Sequence, residues 1–149
     1  MREKKVGAEY WVTMVCVDSY EDSVPRGRFF NPFLESPQEF RSLTEFLIMM
    51  ECTLDTMQLP QAYAASRSFR ASPVSLTKKP TELITRGDIA TFSLSVRFRQ
   101  HNSWQGTLTW LEGGKTQGFR SVLEMIILLD SAMRDAVDSG RSTVRAVMA

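Results

Sequence analysis

Apolar and polar positions alternate clearly in the second half of the chain. In residues 91–99 every second side chain is apolar: Phe92, Leu94, Val96 and Phe98. This period of two predicts a strand with one buried face, and residues 104–110 return with the same period to form a hairpin. A wide apolar arc over residues 118 to about 138 predicts the helix that follows, with Gly140 placed to end it.

The first half of the chain repeats this order 79 positions earlier. Residues 40–54 read FRSLTEFLIMMECTL, and residues 119–133 read FRSVLEMIILLDSAM, so the Phe-Arg-Ser triplet and the following glutamate coincide. Residues 10–17 and 26–30 have the β-branched and aromatic composition of strands. The two halves align without a gap from Val12/Thr91 to Asp55/Arg134.

The first helix has a strong local start signal. The signal is Ser36-Pro37-Gln38-Glu39, in which the serine is placed to cap the first amides and the proline suits the first helical position. The glutamate side chain can reach back to the backbone N–H of the serine, three residues earlier. We therefore expect this helix to run from there to about residue 58, where Pro60 stops it. In the second half Thr116 is the corresponding, weaker cap.

A hairpin with one helix buries too little apolar surface to be stable alone. The pattern therefore predicts an α+β fold in which tandem duplicated ββα units form a four-stranded antiparallel sheet with two helices packed on one face. Residues 1–149 are expected to form a single domain: a first repeat at 9–58, a linker at 59–87 and a second repeat at 88–137.

Composition and charge narrow the class of protein. A hydrophobic content of 43% is typical of a globular protein. The net charge of +1 is too small to attract nucleic acid or an acidic membrane through the overall electrostatic field of the protein. No signal peptide and no membrane-spanning apolar run are predicted. Cys16 and Cys52 are expected to be reduced thiols, which together with the other signals indicates a cytoplasmic protein without membrane contact.

The outer sheet face is expected to differ between the repeats. By alternation, the first repeat places an apolar strip there: Tyr10, Val12, Met14, Cys16 and Phe30. An apolar strip on a face meant for water is typical of an interface, although a covering by the linker is equally compatible with it. The second repeat instead places polar and basic residues on this face, including Arg97, Arg99, Gln105 and Thr107.

The chain lacks a recognisable set of catalytic or metal-binding residues. His101 is the only histidine, and the cysteines have no ligand spacing to it. Glu45 and Glu124 each follow an arginine by four residues, a spacing better explained by surface ion pairs than by acid–base chemistry. We therefore expect no enzyme activity, no catalytic residues, no cofactor and no metal.

Two binding alternatives stay open. Arg97, Arg99 and the basic linker are compatible with a nucleic-acid-binding module, with Trp104 either stacked on a base or buried in the hairpin. In addition, residues 101–106, HNSWQG, loosely resemble the [D/N]xSxxG element with which PilZ domains bind cyclic di-GMP. His101 stands where the acidic or amide residue is expected, so nucleotide second-messenger binding is a minor alternative.

Residues 90–134 also resemble a family of small uncharacterised bacterial proteins with the pattern RQNxSWQGxxxW followed by FRSxLELIxLLDSA. Residues 10–60 resemble longer members more loosely, and His101-Asn102 replaces the usual Asn-Ala. The family has no established activity, so the resemblance implies a shared domain and a bacterial cytoplasmic setting. The leading hypothesis is a non-catalytic regulatory or adaptor domain that acts through protein–protein interaction or self-association, with a homo-oligomer expected.

Overall fold

Six antiparallel strands form one sheet in the order β3-β2-β1-β4-β5-β6. This computed structural model describes residues 12–57, 86–101 and 103–148, with side chains described through residue 139. The elements in chain order are β1 Val12–Glu21, β2 Val24–Phe30, β3 Gln38–Phe40, α1 Leu43–Met57, β4 Ala90–Phe98, β5 Gln105–Trp110, β6 Lys115–Phe119 and α2 Val122–Met148. The fold is therefore α+β with two helices, as predicted.

The prediction of four strands and of tandem ββα units is wrong, because each half contains a third strand before its helix. Gln38–Phe40 pairs with β2, and Lys115–Phe119 pairs with β5, so both segments form the edges of the sheet. The expected capping box, Ser36 to Glu39, overlaps β3 at Gln38 and Glu39 and starts no helix. Local capping chemistry suited a helix there, but pairing with the neighbouring strand satisfies the backbone instead.

The Phe-Arg-Ser triplet contains the actual helix start in both halves. Ser42 Oγ accepts a hydrogen bond from the Glu45 amide at 3.1 Å, and Ser121 Oγ does the same for Glu124 at 3.1 Å. The predicted ion pairs are present at 3.4 Å, between Arg41 and Glu45 and, in the second half, at the equivalent positions. The shared motif therefore ends an edge strand, caps a helix and ties the helix to the strand end.

Both ends of α2 also differ from prediction. Thr116 and Gly118 lie in β6 and α2 begins at Val122, and Gly140 does not end the helix, which continues to Met148. α1 is described as far as Met57, so its predicted end near residue 58 lies outside the described residues. The predicted linker at 59–87 lies almost entirely outside the described residues.

Residues 79 positions apart occupy the same register in the two halves. Val17 pairs with Gly27, and Val96 pairs with Gly106. Directly after these pairs the register shifts in both halves, in β1 between Val17 and Ser19 and in β4 between Val96 and Phe98. The halves meet where β1 and β4 pair, with Met14 opposite Ser93. A tandem origin for these βββα halves stays a prediction.

Both helices pack on one face of the sheet. Val15 lies opposite Phe29 and Phe92, and directly opposed residues of antiparallel strands point to the same face. Phe46 of α1 packs edge-on against Phe29, with ring centroids 5.5 Å apart. From α2, Met125, Leu129 and Met133 are buried in the same core.

Candidate functional site

A cleft of about 230 Å³ lies between α2 and the second half of the sheet. Its walls are apolar: Phe92, Leu108, Trp110, Leu128 and Ala132. Its rim consists of four exposed polar residues, two from β6 and two from α2: Lys115, Gln117, Ser131 and Asp135. This combination of an apolar interior and few polar groups is typical of a small-molecule site.

The equivalent region of the first half has a different set of side chains. Phe29 occupies the position of Leu108, is fully buried and packs with Phe40 and Phe46. Leucine is smaller than phenylalanine, but at two other equivalent positions the second half has the larger residue, Phe92 for Thr13 and Trp110 for Asn31. The two halves therefore share a backbone arrangement but differ in the side chains between helix and sheet.

The polar groups deep in this region differ as well. In the first half Asn31 is buried, and its Nδ2 donates to Thr13 Oγ1 at 3.4 Å and contacts Met57 Sδ at 3.5 Å. The equivalent of Asn31 is Trp110, whose buried Nε1–H has no acceptor in the described part of the chain. An unmade hydrogen bond of this kind costs about 1–3 kcal/mol.

The ring of Trp110 is held in place by the turn between β5 and β6. A Cβ at Gly113 would lie 2.2 Å from Trp110 Cε3, so the indole rests directly on the glycine backbone. Trp110 also lies opposite Lys115 in the β5–β6 register, and the two side chains therefore point to the same face. The cleft thus has a fixed aromatic wall with a cation beside it.

The predicted basic face is not assembled as expected. Arg97 is exposed, but Arg99 is only 4% exposed and forms ion pairs with Glu51 at 3.2 Å and Asp55 at 2.6 Å on α1. The irregularity after Val96 breaks the strict alternation from which a shared face was inferred.

The remaining members of this predicted set are half-buried. Gln105 bonds in both directions to the Gln100 backbone at 2.9 and 3.0 Å, which closes the hairpin, and Thr107 lies opposite Ser95. Trp104 is buried, and its Nε1 donates to Glu51, so the buried interpretation of this tryptophan is correct.

The predicted apolar strip is only partly accessible. Val12 and Met14 are half-buried, Cys16 and Phe30 are buried, and Tyr10 lies outside the described residues. Met14 is opposite Phe30, so these two share the face that points away from the helices, as alternation predicted. An interface there stays a prediction, but its central residues do not form an open strip.

Two equivalent polar contacts join the halves. Arg99, at the end of β4, reaches Glu51 and Asp55 on α1. The equivalent of Arg99 is Tyr20, whose hydroxyl donates to Asp130 on α2, and Asp130 in turn pairs with Arg134 at 3.0 Å. Each half therefore extends one strand-end side chain to the helix of the other half.

Replacing Tyr20 by phenylalanine is expected to lower stability by about 1 kcal/mol at pH 7, because Asp130 loses its hydroxyl donor while remaining partly hydrated. The Tyr20 hydrogen bond is the main reason that the pKa of Asp130 lies below its ordinary value, and burial first, then Asp130, raises the pKa of Tyr20. A depressed carboxyl pKa stabilises the fold above the unfolded pKa of about 4 and ceases to do so as pH falls through the folded value.

The raised pKa of Tyr20 gives the opposite dependence on pH. Its contribution to the stability of the fold is complete below about pH 10 and is lost as the pH rises further. The stability difference between wild type and Tyr20→Phe, measured by urea unfolding, should therefore be greatest near neutral pH and shrink below pH 4 and above pH 10. A difference that is constant across this range would contradict the assignment.

No protein-family model, curated protein or solved structure matches this chain. Among the described residues no group of three His, Cys, Asp or Glu side chains is arranged to hold a metal ion. Neither helix combines the length and the apolar composition needed to cross a membrane, as far as the described residues extend.

Proposed function

We propose that this chain is a non-catalytic regulatory domain that binds a small ligand in the cleft between α2 and strands β4 to β6. The observation that carries the proposal is the cleft itself, an opening of about 230 Å³ with apolar walls and a polar rim between helix and sheet. Close packing is the rule in protein interiors, so an opening of this size beside the buried Phe92 and Leu108 suggests a use for it.

The size of the cleft supports a small ligand. Drug-sized molecules occupy pockets of about 300–1,000 Å³, whereas a cavity of about 150 Å³ holds benzene. At about 230 Å³ the cleft suits a single ring with one polar substituent.

A regulatory output follows from the position of α2. This helix forms one wall of the cleft, contacts the first half through Asp130 and exposes Leu123 and Ile127, which are 66% and 58% accessible. Ligand binding would favour one position of α2 and thereby alter the surface that these two side chains present. The expected change is therefore a shift in helix position, without bond chemistry.

Filling the cleft tests this proposal. In Leu108→Phe a larger side chain takes up part of the cleft, so ligand binding should be lost while the fold is kept. Benzoate, benzamide, benzyl alcohol and benzylamine serve as probes, and the indole N–H signal of Trp110, assigned with Trp110→Phe, is followed by NMR. At least one probe should shift this signal saturably in the wild type and fail to do so in Leu108→Phe.

The matched control is Ile48→Phe, which adds a ring to an exposed position on α1, a helix that contributes none of the described lining residues of the cleft. It should bind the probes as the wild type does. If no probe shifts the Trp110 signal in the wild type, or if Leu108→Phe responds equally, the proposal is wrong.

A protein-binding or self-associating adaptor is the second candidate. Ile48 and Ile127 are exposed at equivalent positions of the two helices, and both are more than half accessible. On α2 the exposed Leu123 lies one helical turn from Ile127, and adjacent exposed apolar side chains of this kind favour a protein contact. Light scattering of the full chain over a range of concentrations distinguishes self-association from a monomeric ligand-binding domain.

The nucleic-acid alternative is less well supported than either. Arg99, one of its two strand arginines, is buried against Glu51 and Asp55 and is not available to a phosphate. Second-messenger binding rests on residues 101–106, of which His101 is exposed in a turn with φ of 55° and Trp104 is buried.

A further inference from the structure

We propose that the free edge of β6 binds an extended peptide, which adds a further strand to the sheet and places one apolar side chain in the cleft. This inference rests on the proposed function, because that side chain is the small group which the cleft holds. It assigns the ligand to one class, a protein segment in strand conformation, and the binding to one edge of the sheet.

The edge of β6 presents unpaired backbone groups. In an antiparallel sheet the backbone groups of successive residues point alternately to the two neighbouring strands. Leu111, directly after β5, donates its N–H to β4 at 3.0 Å, so Leu108 directs its own groups to β6, where it lies opposite Gln117. Thr116 and Gly118, on either side of Gln117, therefore point their N–H and C=O groups away from the sheet. Both residues are exposed, and no strand in the described part of the chain pairs with them.

The corresponding edge of the first half is protected against a further strand. The residues 79 positions before Thr116 and Gly118 are Pro37 and Glu39. Pro37, immediately before β3, has no N–H to donate, and Glu39 is exposed and charged, both of which are common protections of sheet edges. At β6 the threonine restores the donor and the glycine leaves the backbone without a side chain. One of two equivalent edges is therefore closed to an added strand, and the other is open.

The mouth of the cleft lies along the open edge. Gln117 contributes to the rim from β6, and Ser131 contributes to it from α2. A residue paired opposite Gln117 would have its Cβ about 5 Å from that of Gln117, on the face of the sheet that carries the cleft. Its side chain would therefore lie between β6 and α2. The apolar walls there favour an aliphatic or aromatic side chain: Leu108, Leu128 and Ala132.

A second copy of β6 fits this edge less well than a peptide does. Its residues on the helix-facing side of the sheet are Lys115, Gln117 and Phe119. The first two are polar, and Phe119 is already buried in the core of its own chain. A segment with an apolar residue at the central position satisfies the free backbone groups and the cleft together.

The test uses the full-length chain and the acetylated, amidated pentapeptide Thr-Thr-Phe-Thr-Thr, with backbone amide signals followed by NMR titration. The peptide should shift the Gly118 signal saturably. Thr116→Pro introduces the residue of the first half and removes only an N–H that points away from β5, so it should weaken binding about fivefold or more. In the matched control Thr116→Val the N–H is kept. Both variants lose the side-chain hydrogen bond to Thr109, and the control should bind within about twofold of the wild type.

The peptide provides a second measurement that does not depend on the folding of a variant. The same peptide N-methylated at every residue keeps its side chains but donates no backbone hydrogen bond, and should bind about tenfold more weakly or worse. Replacing its phenylalanine by threonine removes the apolar group, and should weaken binding to a similar extent.

The outcomes separate this inference from the proposed function. If the single-ring probes bind and Leu108→Phe abolishes their binding, but the peptide does not bind or binds equally to Thr116→Pro, the edge assignment is wrong and the cleft function stands. An N-methylated peptide that binds as well as its parent likewise overturns the assignment. A dimer in light scattering that Thr116→Pro dissociates would assign the edge to a second copy and exclude the peptide. If neither the single-ring probes nor the peptide bind the wild-type chain, the proposed function itself fails.

Discussion

Replacing Gly27 or Gly106 by alanine is expected to destabilise the fold by about 3 kcal/mol or more. A Cβ at Gly27 would lie 1.9 Å from the carbonyl oxygen of Cys16, and a Cβ at Gly106 would lie 1.9 Å from that of Ser95. Both obstructing atoms belong to the backbone of the neighbouring strand, so the clash cannot be relieved by a side-chain rotation. Urea unfolding monitored by circular dichroism measures the loss of stability. A variant that does not accumulate as folded protein would agree with the same prediction.

The neighbouring strand provides the control. Gly118 is the same residue type in β6, and a Cβ added there would have Gly106 O as its nearest atom, at an ordinary distance of 3.7 Å. Gly118→Ala should therefore change stability by no more than about 0.5 kcal/mol. A wild-type stability for Gly106→Ala, or an equal loss for Gly118→Ala, would show that the close strand approach does not limit this position.

Replacing Arg99 by alanine is expected to cost about 3 kcal/mol. The guanidinium is buried and pairs with Glu51 and Asp55 at 3.2 and 2.6 Å, and it also donates to the Leu54 carbonyl. Without it the two carboxylates lose their shared counterion, and the junction between the halves loses the packing of the arginine side chain. Thermal and urea unfolding of Arg99→Ala would measure the effect.

A surface arginine in the same type of pair provides the comparison. Arg120 bonds Glu124 at 3.4 Å but its side chain is 90% exposed, so Arg120→Ala should cost less than about 0.5 kcal/mol. A double-mutant cycle between Arg99 and Asp55 should give a coupling above about 1 kcal/mol. Equal effects of Arg99→Ala and Arg120→Ala would contradict a structural role for the buried pair. Arg99 would then have to be regarded as an exposed residue, as alternation predicted.

Much of the fold could be predicted from local patterns. The alternation located β4 and its buried face correctly as far as Val96, whereas Phe98, predicted on the same face, is 55% exposed. The Phe-Arg-Ser-x-x-Glu segments contain the capping serines of both helices, although the predicted starts lay upstream, near residues 36 and 118. Where the first helix starts could not be predicted, because Ser36 and Ser42 each precede a glutamate by three residues. Only the pairing of Gln38–Phe40 with β2 excludes the earlier start.

The sequence indicates the candidate site less clearly than it indicates the fold. The alignment at a spacing of 79 shows Phe29 against Leu108 and Asn31 against Trp110, but it does not show that these positions face a helix. Arg99 illustrates the opposite error. Alternation placed it beside Arg97 on an outer face, and the irregularity after Val96 instead allows it to reach α1.

The sequence by itself determined the periodic elements, their order in each half and most of the buried residues, because a period of 2 or 3.6 is a local property of the chain. The tertiary structure alone decided the two edge strands, the burial of Arg99 and the cleft beside α2. The edge strands are only three and five residues long, too short for a period to show, and their backbones are held by the strand beside them. The cleft depends on how much volume facing side chains leave between helix and sheet, and that is set by residues far apart in the chain.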